Sequence, residues 1–221
     1  MNLLLFIHRS VGNNLINDSG LYKLLENQGA NFEFSDYDNN TGILRDSKGS
    51  KKLSLKFPND NTKPSDYAEL FSEQGKENYG QLFNLVMSYD AIAIKSCYPN
   101  LNIKSDNELE SIKASYQSIV QFFLDHPDKK LIILKSPALR PFATSAKNTN
   151  RARQLADSLS SESFGSNVSV FNLFDLLASD KNVLKREYRR PIPFDNHPNK
   201  KAASVIAPKL ISHFLRLITK N

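Results

Sequence analysis

The chain has 221 residues, 40% of them hydrophobic and 24% charged, with only 8 Gly and 10 Pro, which excludes a low-complexity chain and fits one folded domain. Its net charge of +6 comes from scattered or paired lysines, often near acidic residues. With no zinc-finger spacing and no interleaved aromatic and basic motif, this charge does not indicate a nucleic-acid partner. A single cysteine excludes an intramolecular disulfide, and no apolar run matches a signal peptide or a membrane span of ~20 residues, so a cytoplasmic protein is expected.

The first predicted element is a short buried strand over residues 3–7, which runs into a polar turn that contains Ser10 and Gly12. Four more short apolar runs, partly of β-branched residues, are typical of buried parallel strands. They cover residues 31–35, 90–95, 130–135 and 168–172.

Residues 36–76 differ in composition from the rest of the chain. They are rich in Asp, Asn, Ser, Lys and Gly and contain few periodic apolar positions. Loops of this length are uncommon inside a compact domain and often have a function. The sequence therefore predicts a long loop excursion over the active face.

Two helices are predicted from apolar residues at helical spacing. Ser105 and Glu108 form a capping-box pattern ahead of the first, over residues 109–123. The second covers residues 205–217, and Pro208 should kink or divide it because proline lacks a donor and crowds the preceding turn. Alternating strands and helices favour a doubly wound α/β sheet in a single domain over residues 1–221.

Two residues near opposite ends of the chain suggest chemistry. Ser10 follows the first strand, and His197 lies just before the last helix, two residues after Asp195. Reactive groups in α/β folds lie at the carboxyl ends of strands, so a fold that joins these segments would form an acyl-transfer site. Each residue also has a non-catalytic interpretation, since serines are common in turns and a His-Pro pair often starts a helix.

These residues resemble the SGNH/GDSL hydrolase superfamily, whose nucleophilic serine follows the first strand and whose histidine precedes the last helix. The similarity in order of elements covers nearly the whole chain. The opening block departs from the usual Gly-Asp-Ser and is closer to a divergent branch that opens with His-x-Ser. The segments similar to that branch are His8-Arg9-Ser10-Val11-Gly12, Gly42-Ile43-Leu44-Arg45, Pro58-Asn59-Asp60-Asn61-Thr62 and Lys95-Ser96-Cys97-Tyr98-Pro99.

The resemblance implies the SGNH hydrolase fold, a flavodoxin-like three-layer α/β/α sandwich with a mainly parallel five-stranded sheet. It also implies that Ser10 is the nucleophile and that His197 is the general base, which takes the serine proton and returns it to the leaving alcohol. Asp195 is the nearest carboxylate for holding the imidazole. The family spacing is Asp-x-x-His, whereas this chain has Asp-x-His, so a Ser–His dyad backed by a main-chain carbonyl remains open.

The oxyanion hole of the family consists of the serine amide, a glycine amide and an asparagine side chain. The resemblance places these roles on Ser10, Gly42 and Asn100. Asn100 is displaced from the usual Gly-x-Asn position, and Asn13 or Asn39 could substitute for it. Because one donor contributes on the order of 10²–10³ in rate, this block decides whether the protein is active.

The predicted function is a serine esterase or acylhydrolase that cleaves a small acyl ester, such as an acetyl ester of a carbohydrate, with no cofactor. An acyltransferase would need the same residues. The alternative is an inactive SGNH-fold module that binds a carbohydrate or an anionic partner through residues 36–76. A Ser10 Oγ within about 3.2 Å of a ring nitrogen of His197 favours the enzyme.

Other candidate groups are weaker. Asp36, Asp38, Asp46 and Asp60 show no calcium-loop spacing, so no metal is expected. Cys97 follows a predicted strand and is interpreted as a small buried hydrophobic residue rather than as a reactive thiol.

Overall fold

The computed structural model describes residues 2–53, 55, 57–59, 62–161, 164–192 and 194–218. Asp60 and Asn61 of the segment that resembles the His-x-Ser branch therefore lie outside the described residues. Within these ranges the strands form one sheet. They are β1 (Asn2–His8), β2 (Phe32–Asp38), β3 (Ile43–Asp46), β4 (Gly49–Lys52), β5 (Ala91–Lys95), β6 (Lys130–Leu134) and β7 (Val168–Phe171).

The sheet has the order β4-β3-β2-β1-β5-β6-β7. Five strands are parallel, in the order β2-β1-β5-β6-β7 that is found in flavodoxin-like folds. Strands β3 and β4 form an antiparallel hairpin at the edge next to β2. The α/β class and the parallel five-stranded core are confirmed. The predicted count of five is too low, because the sheet also includes the hairpin.

Helices cover both faces of the sheet, as expected for parallel strands, which are buried on both sides. No helix in the described ranges combines the length and the apolar character needed to cross a membrane. In chain order the helices are α1 (Val11–Ser19), α2 (Leu21–Asn27), α3 (Pro64–Leu70), α4 (Glu73–Asn78), α5 (Gly80–Met87), α6 (Asp106–Leu124), α7 (Ala146–Ser161), α8 (Leu173–Leu177) and α9 (Lys200–Ile218).

Alternation along the strands divides the core into two halves. In β1, Leu5 and Ile7 pack with residues of α3, α5, α6 and α7, while Leu4 and Phe6 pack with α1, α2 and α9. Successive side chains of a strand point to opposite faces, so a continuous apolar run supplies both halves. The result is a three-layer sandwich.

The prediction of a loop over residues 36–76 is wrong for much of that segment. It contains the end of β2, the hairpin β3–β4, helix α3 and the start of α4. All four residues of β4 are exposed, so no apolar alternation marks that strand in the sequence. Helix α3 is short, and Pro64 at its first position gives a start signal without an apolar period to support it.

The last helix is not divided at Pro208. Helix α9 continues from Lys200 to Ile218 with the proline inside it. Residues on both sides of Pro208, among them Ile206 and Leu210, are buried against the same half of the core. This shared burial outweighs the hydrogen bond that the proline removes.

Candidate active site

Ser10 occupies the sharp turn between β1 and α1. Its φ of 53° lies in a region that side-chain-bearing residues rarely adopt, which typically costs about 1–3 kcal/mol. Ser10 stands at the N-cap position of α1, yet its side chain caps no helix amide. Its hydroxyl is therefore available for another partner.

That partner is His197. Ser10 Oγ and His197 Nε2 are in hydrogen-bond contact, although the two residues are 187 positions apart in the chain. The fold therefore brings the two segments together, as an acyl-transfer site with these residues requires. The contact forms where the carboxyl end of β1 meets the segment just before α9.

Asp195 contacts the other side of the imidazole. Its Oδ1 lies 2.6 Å from His197 Nδ1 and also accepts the main-chain amide of His197 at 2.9 Å. This turn, in which a carboxylate accepts the amide two residues later, explains how the short Asp-x-His spacing brings both groups together. Burial raises the pKa of the Asp195 carboxyl, but the hydrogen bonds from His197 and the nearby Arg190 charge hold it below its usual value.

Two arginines fix the loop that carries Asp195 and His197. Arg190 lies 3.7 Å from Asp195 and 3.2 Å from Asp18 of α1, so it links the loop to the helix that begins after Ser10. Arg140 is buried and donates to the main-chain oxygens of Arg190 and Ile192. Such fixed partners hold a catalytic side chain in one orientation.

A buried charge network lies beside the Ser10 turn. His8 at the end of β1 places Nε2 at 2.8 Å from Asp36, whose carboxylate also accepts Arg45 Nη2 at 2.8 Å. Burial lowers the pKa of His8 despite the raising effect of Asp36. His8 is therefore neutral at pH 7 and donates its Nε2 proton to Asp36. Lys95 at the end of β5 is also buried, and its Nζ donates to the main-chain oxygen of Ser96 at 3.0 Å.

Gly12 allows His8 to pack directly under the first turn of α1. A Cβ built on Gly12 would lie 2.3 Å from His8 Cβ and 2.6 Å from His8 Cγ. Both distances are far below van der Waals contact, so any side chain at this position must displace the helix start. This close approach explains why Ser10 is followed two residues later by glycine.

Replacement of Gly12 by alanine is expected to lower the free energy of unfolding by about 1–3 kcal/mol, because it overpacks the contact with His8. The measurement is chemical denaturation followed by circular dichroism. Gly80, at the start of α5, is the matched control, because a Cβ there meets nothing within 4 Å. Gly80→Ala should be neutral or slightly stabilising. Equal effects of the two substitutions would contradict the close-packing argument.

The contact between Ser10 and His197 opens into a cavity of about 400 Å³. It lies outside the carboxyl ends of β1 and β5, where the strand order reverses, which is where open α/β sheets bind ligands. Most of the residues that line it have polar side chains. The walls include Ser10, Asn13, Asp38, Thr41, Cys97 and Pro99.

The candidate oxyanion donors from the family blocks do not all face this cavity. Gly42 donates its amide to the Asp38 carbonyl at 2.8 Å, so the predicted donor is already occupied within the turn between β2 and β3. Asn100 lines a neighbouring cleft, and its Nδ2 is buried without a hydrogen-bond partner among the described residues. Asn39 donates to the Asn59 carbonyl at 3.2 Å.

Asn13 does line the cavity. Its Oδ1 accepts hydrogen bonds from Arg45 Nη2 at 2.9 Å and from Asn17 Nδ2 at 3.0 Å. Two donors on the oxygen fix the orientation of the amide and leave its Nδ2 as the group available to a ligand. The sequence analysis gives Asn13 only as a substitute donor, because an asparagine three residues after the serine is not part of the family motif.

A second Ser–His pair provides a contrast. Ser169 Oγ lies 3.1 Å from His213 Nε2, but His213 Nδ1 faces Arg216 Nη2 at 3.0 Å. Burial and the arginine charge lower the pKa of His213 to about 4, so the ring is neutral at pH 7. Since Arg216 can only donate, the His213 proton must be on Nε2, and His213 cannot act as a base toward Ser169. His197 has the opposite arrangement, because Asp195 holds the proton on Nδ1.

The chain has the SGNH hydrolase fold. It is similar over 97% of its length to a GDSL-like lipase from Bacteroides thetaiotaomicron, with 8% identity, a TM-score of 0.56 and 89% of that chain covered. It is also similar to a family 3 carbohydrate esterase from Talaromyces cellulolyticus, with 12% identity, a TM-score of 0.52 and both chains fully covered. A protein from Bacteroides fragilis assigned as an acylhydrolase matches at 12% identity and a TM-score of 0.53, over 97% of this chain and 88% of that one.

No protein-family model matches the sequence, and neither does the sequence of any curated protein. The similarity is thus one of fold, and the role of each site residue has to be argued from its contacts.

Proposed function

We propose that this protein is a serine ester hydrolase that cleaves a short acyl ester through a Ser10 acyl-enzyme. The observation that carries the proposal is the continuous line of hydrogen bonds from Ser10 Oγ through His197 to Asp195, at the mouth of a cavity. A serine hydroxyl is a weak nucleophile unless a base is positioned to take its proton. An inactive binding module has no need for this arrangement.

In the first half of the reaction, Ser10 Oγ attacks the ester carbonyl carbon while its proton passes to His197 Nε2. The carboxylate of Asp195 keeps the other ring proton on Nδ1 and stabilises the imidazolium that forms. The tetrahedral intermediate then collapses, the bond to the alcohol oxygen breaks, and His197 returns the proton to that oxygen. The alcohol leaves and the acyl group stays on Ser10.

In the second half, water attacks the acyl-enzyme. His197 takes a proton from the water as the carbon–oxygen bond forms, and it returns this proton to Ser10 Oγ when the acid is released. Both halves place negative charge on the former carbonyl oxygen. We take the Ser10 amide and Asn13 Nδ2 as the donors for this oxygen, because Asn13 is in the cavity wall whereas Asn100 lines the neighbouring cleft.

The cavity favours a short acyl group. Its volume is about 400 Å³, and its described lining is mostly of polar side chains, with Cys97 and Pro99 as the exceptions. A long fatty acyl chain needs an apolar channel in which to bury its methylenes, since each contributes about 0.8 kcal/mol. An acetyl ester fits better, and the carbohydrate esterase among the proteins of the same fold supports a sugar as the alcohol.

The test is labelling with a fluorophosphonate probe, which reacts with activated serines, followed by peptide mapping. We expect a single adduct on Ser10 in the wild-type protein and in Ser169→Ala. The second Ser–His pair makes this control specific, because His213 carries its proton on the wrong nitrogen. Folded protein that gives no adduct at Ser10 would overturn the proposal.

A further inference from the structure

A second cleft adjoins the nucleophile cavity. We call it the lysine cleft and define it by Lys63, Asn100, Asn102, Lys104, Glu108 and Ser111. Its volume is about 490 Å³, and Pro99 lines both it and the cavity that contains Ser10. A ligand bound at Ser10 can therefore extend past Pro99 into the lysine cleft.

The charges of the lysine cleft favour an anion. Lys63 and Lys104 are exposed, and Glu108 is the one carboxylate among the described residues of the lining. Oε2 of Glu108 accepts the main-chain amide of Lys104 at 2.7 Å, at the start of α6. The lining thus carries two lysines and a single carboxylate that is partly occupied by the backbone, so its formal charge is positive.

The remaining lining suits hydroxyl groups. Ser65, Ser111, Ser115 and Asn102 contribute hydroxyl and amide groups, and the apolar residues of the lining are two prolines and Ile112. Hydroxyls and amides both donate and accept, so they can match a ligand that carries several hydroxyls. Ser115 and Asn102 each have one protein partner, and an apolar alcohol would leave their remaining hydrogen-bonding capacity unused.

We infer that the lysine cleft binds the alcohol portion of the ester, and that this portion is polyhydroxylated and carries an anionic group. A carboxylate on a sugar acid and a phosphate on a sugar share this chemistry. The inference rests on the proposed function, because it needs an ester carbonyl at Ser10. The acyl group occupies the cavity at Ser10, and the alcohol extends past Pro99 into the cleft.

The experiment compares kcat/KM for three acetyl esters of one sugar. They are a neutral methyl glycoside, the corresponding uronate and the corresponding 6-phosphate. We expect the wild-type protein to favour one or both anionic esters over the neutral ester by about tenfold, and the uronate and phosphate arms distinguish the two anions. The preference should weaken as salt is raised from 0.05 to about 0.5 M, since exposed charges are screened over about a Debye length.

Lys63→Ala, Lys104→Ala and the double variant test the assignment of the charges. Both lysines take part in helix starts through main-chain atoms. The Lys63 amide donates to Asp66 at 2.9 Å and the Lys104 amide donates to Glu108 at 2.7 Å, so these contacts survive the substitutions. The double variant should lose the anion preference and keep its activity on p-nitrophenyl acetate, whose leaving group carries no sugar. Lys209→Ala, on α9 in the opposite layer, is the control and should change neither.

The outcomes separate the two proposals. If p-nitrophenyl acetate is hydrolysed but the three sugar esters react equally, or if the anion preference survives the double variant, the lysine cleft is not the alcohol site. If Ser10 takes no fluorophosphonate and no ester is hydrolysed, the proposed function itself fails.

Discussion

Alanine in place of Ser10 or His197 is expected to lower kcat/KM for a short acyl ester by on the order of 10⁴-fold or more. Without Ser10 no acyl-enzyme forms, and without His197 the hydroxyl proton has no acceptor at hydrogen-bond distance. Because both residues act in the same step, the double variant should lose little more than either single variant. The measurement is steady-state hydrolysis of p-nitrophenyl acetate, with circular dichroism to show that each variant is folded.

The control variants alter the second Ser–His pair, which is not expected to take part in catalysis. Ser169→Ala and His213→Ala remove a Ser–His contact of 3.1 Å that has the wrong proton arrangement for catalysis. They should leave the rate within about twofold of the wild type. A Ser10 or His197 variant that kept a tenth of the wild-type activity would show that the reaction does not pass through this pair.

The sequence predicts the buried parts of the fold well. Strands β1, β5 and β6 of the parallel core contain short apolar runs, as expected for strands that are covered on both faces, whereas β2 alternates aromatic with polar residues. The hairpin β3–β4 has no such pattern. It lies at the sheet edge, where Arg45 contacts Asp36 and all of β4 is exposed to solvent. Its residues are therefore mostly polar or charged and show no apolar alternation.

The residues of the site also differ in how far the sequence predicts them. Ser10 and His197 could be predicted because each follows or precedes an element that the sequence shows. Asp195 and Asn13 were only candidates in the sequence, since the choice between Asp195 and a main-chain carbonyl depends on local turn geometry and the choice among the asparagines depends on helix geometry. The network beside Ser10 could not be predicted. Asp36 lies 28 residues after His8 and Arg45 nine residues after Asp36, and only the sheet brings all three together.

Asn13 offers a substitution that separates chemistry from structure. Its Oδ1 is held by Arg45 at 2.9 Å and by Asn17 at 3.0 Å, which leaves Nδ2 as the donor in the cavity wall beside Ser10. Asn13→Asp keeps an oxygen for Arg45 and adds an ion pair with it. The same change replaces the cavity donor with a negatively charged acceptor.

We expect Asn13→Asp to lower kcat by on the order of 10²–10³, the typical effect of losing one oxyanion donor, with a thermal midpoint equal to or above that of the wild type. KM should change much less than kcat, because the carbonyl oxygen becomes negatively charged only in the transition state. If Asn13 served only to hold α1, Asn13→Asp would keep the wild-type kcat, because its ion pair with Arg45 would preserve that contact.

Asn17→Asp is the matched control. Asn17 also contacts Arg45, through Nη1 at 3.3 Å, and it lies one helical turn after Asn13 on α1, outside the described lining of the cavity. It places the same new charge near the same arginine and removes the Asn17 bond to Asn13 Oδ1, but it leaves Asn13 Nδ2 in place and Arg45 still bound to Asn13, so its kcat should stay within about fivefold of the wild type. Similar losses in both aspartate variants would mean that the added charge acts through Arg45. Only a loss confined to Asn13→Asp makes the Asn13 amide a catalytic residue that binds the developing oxyanion.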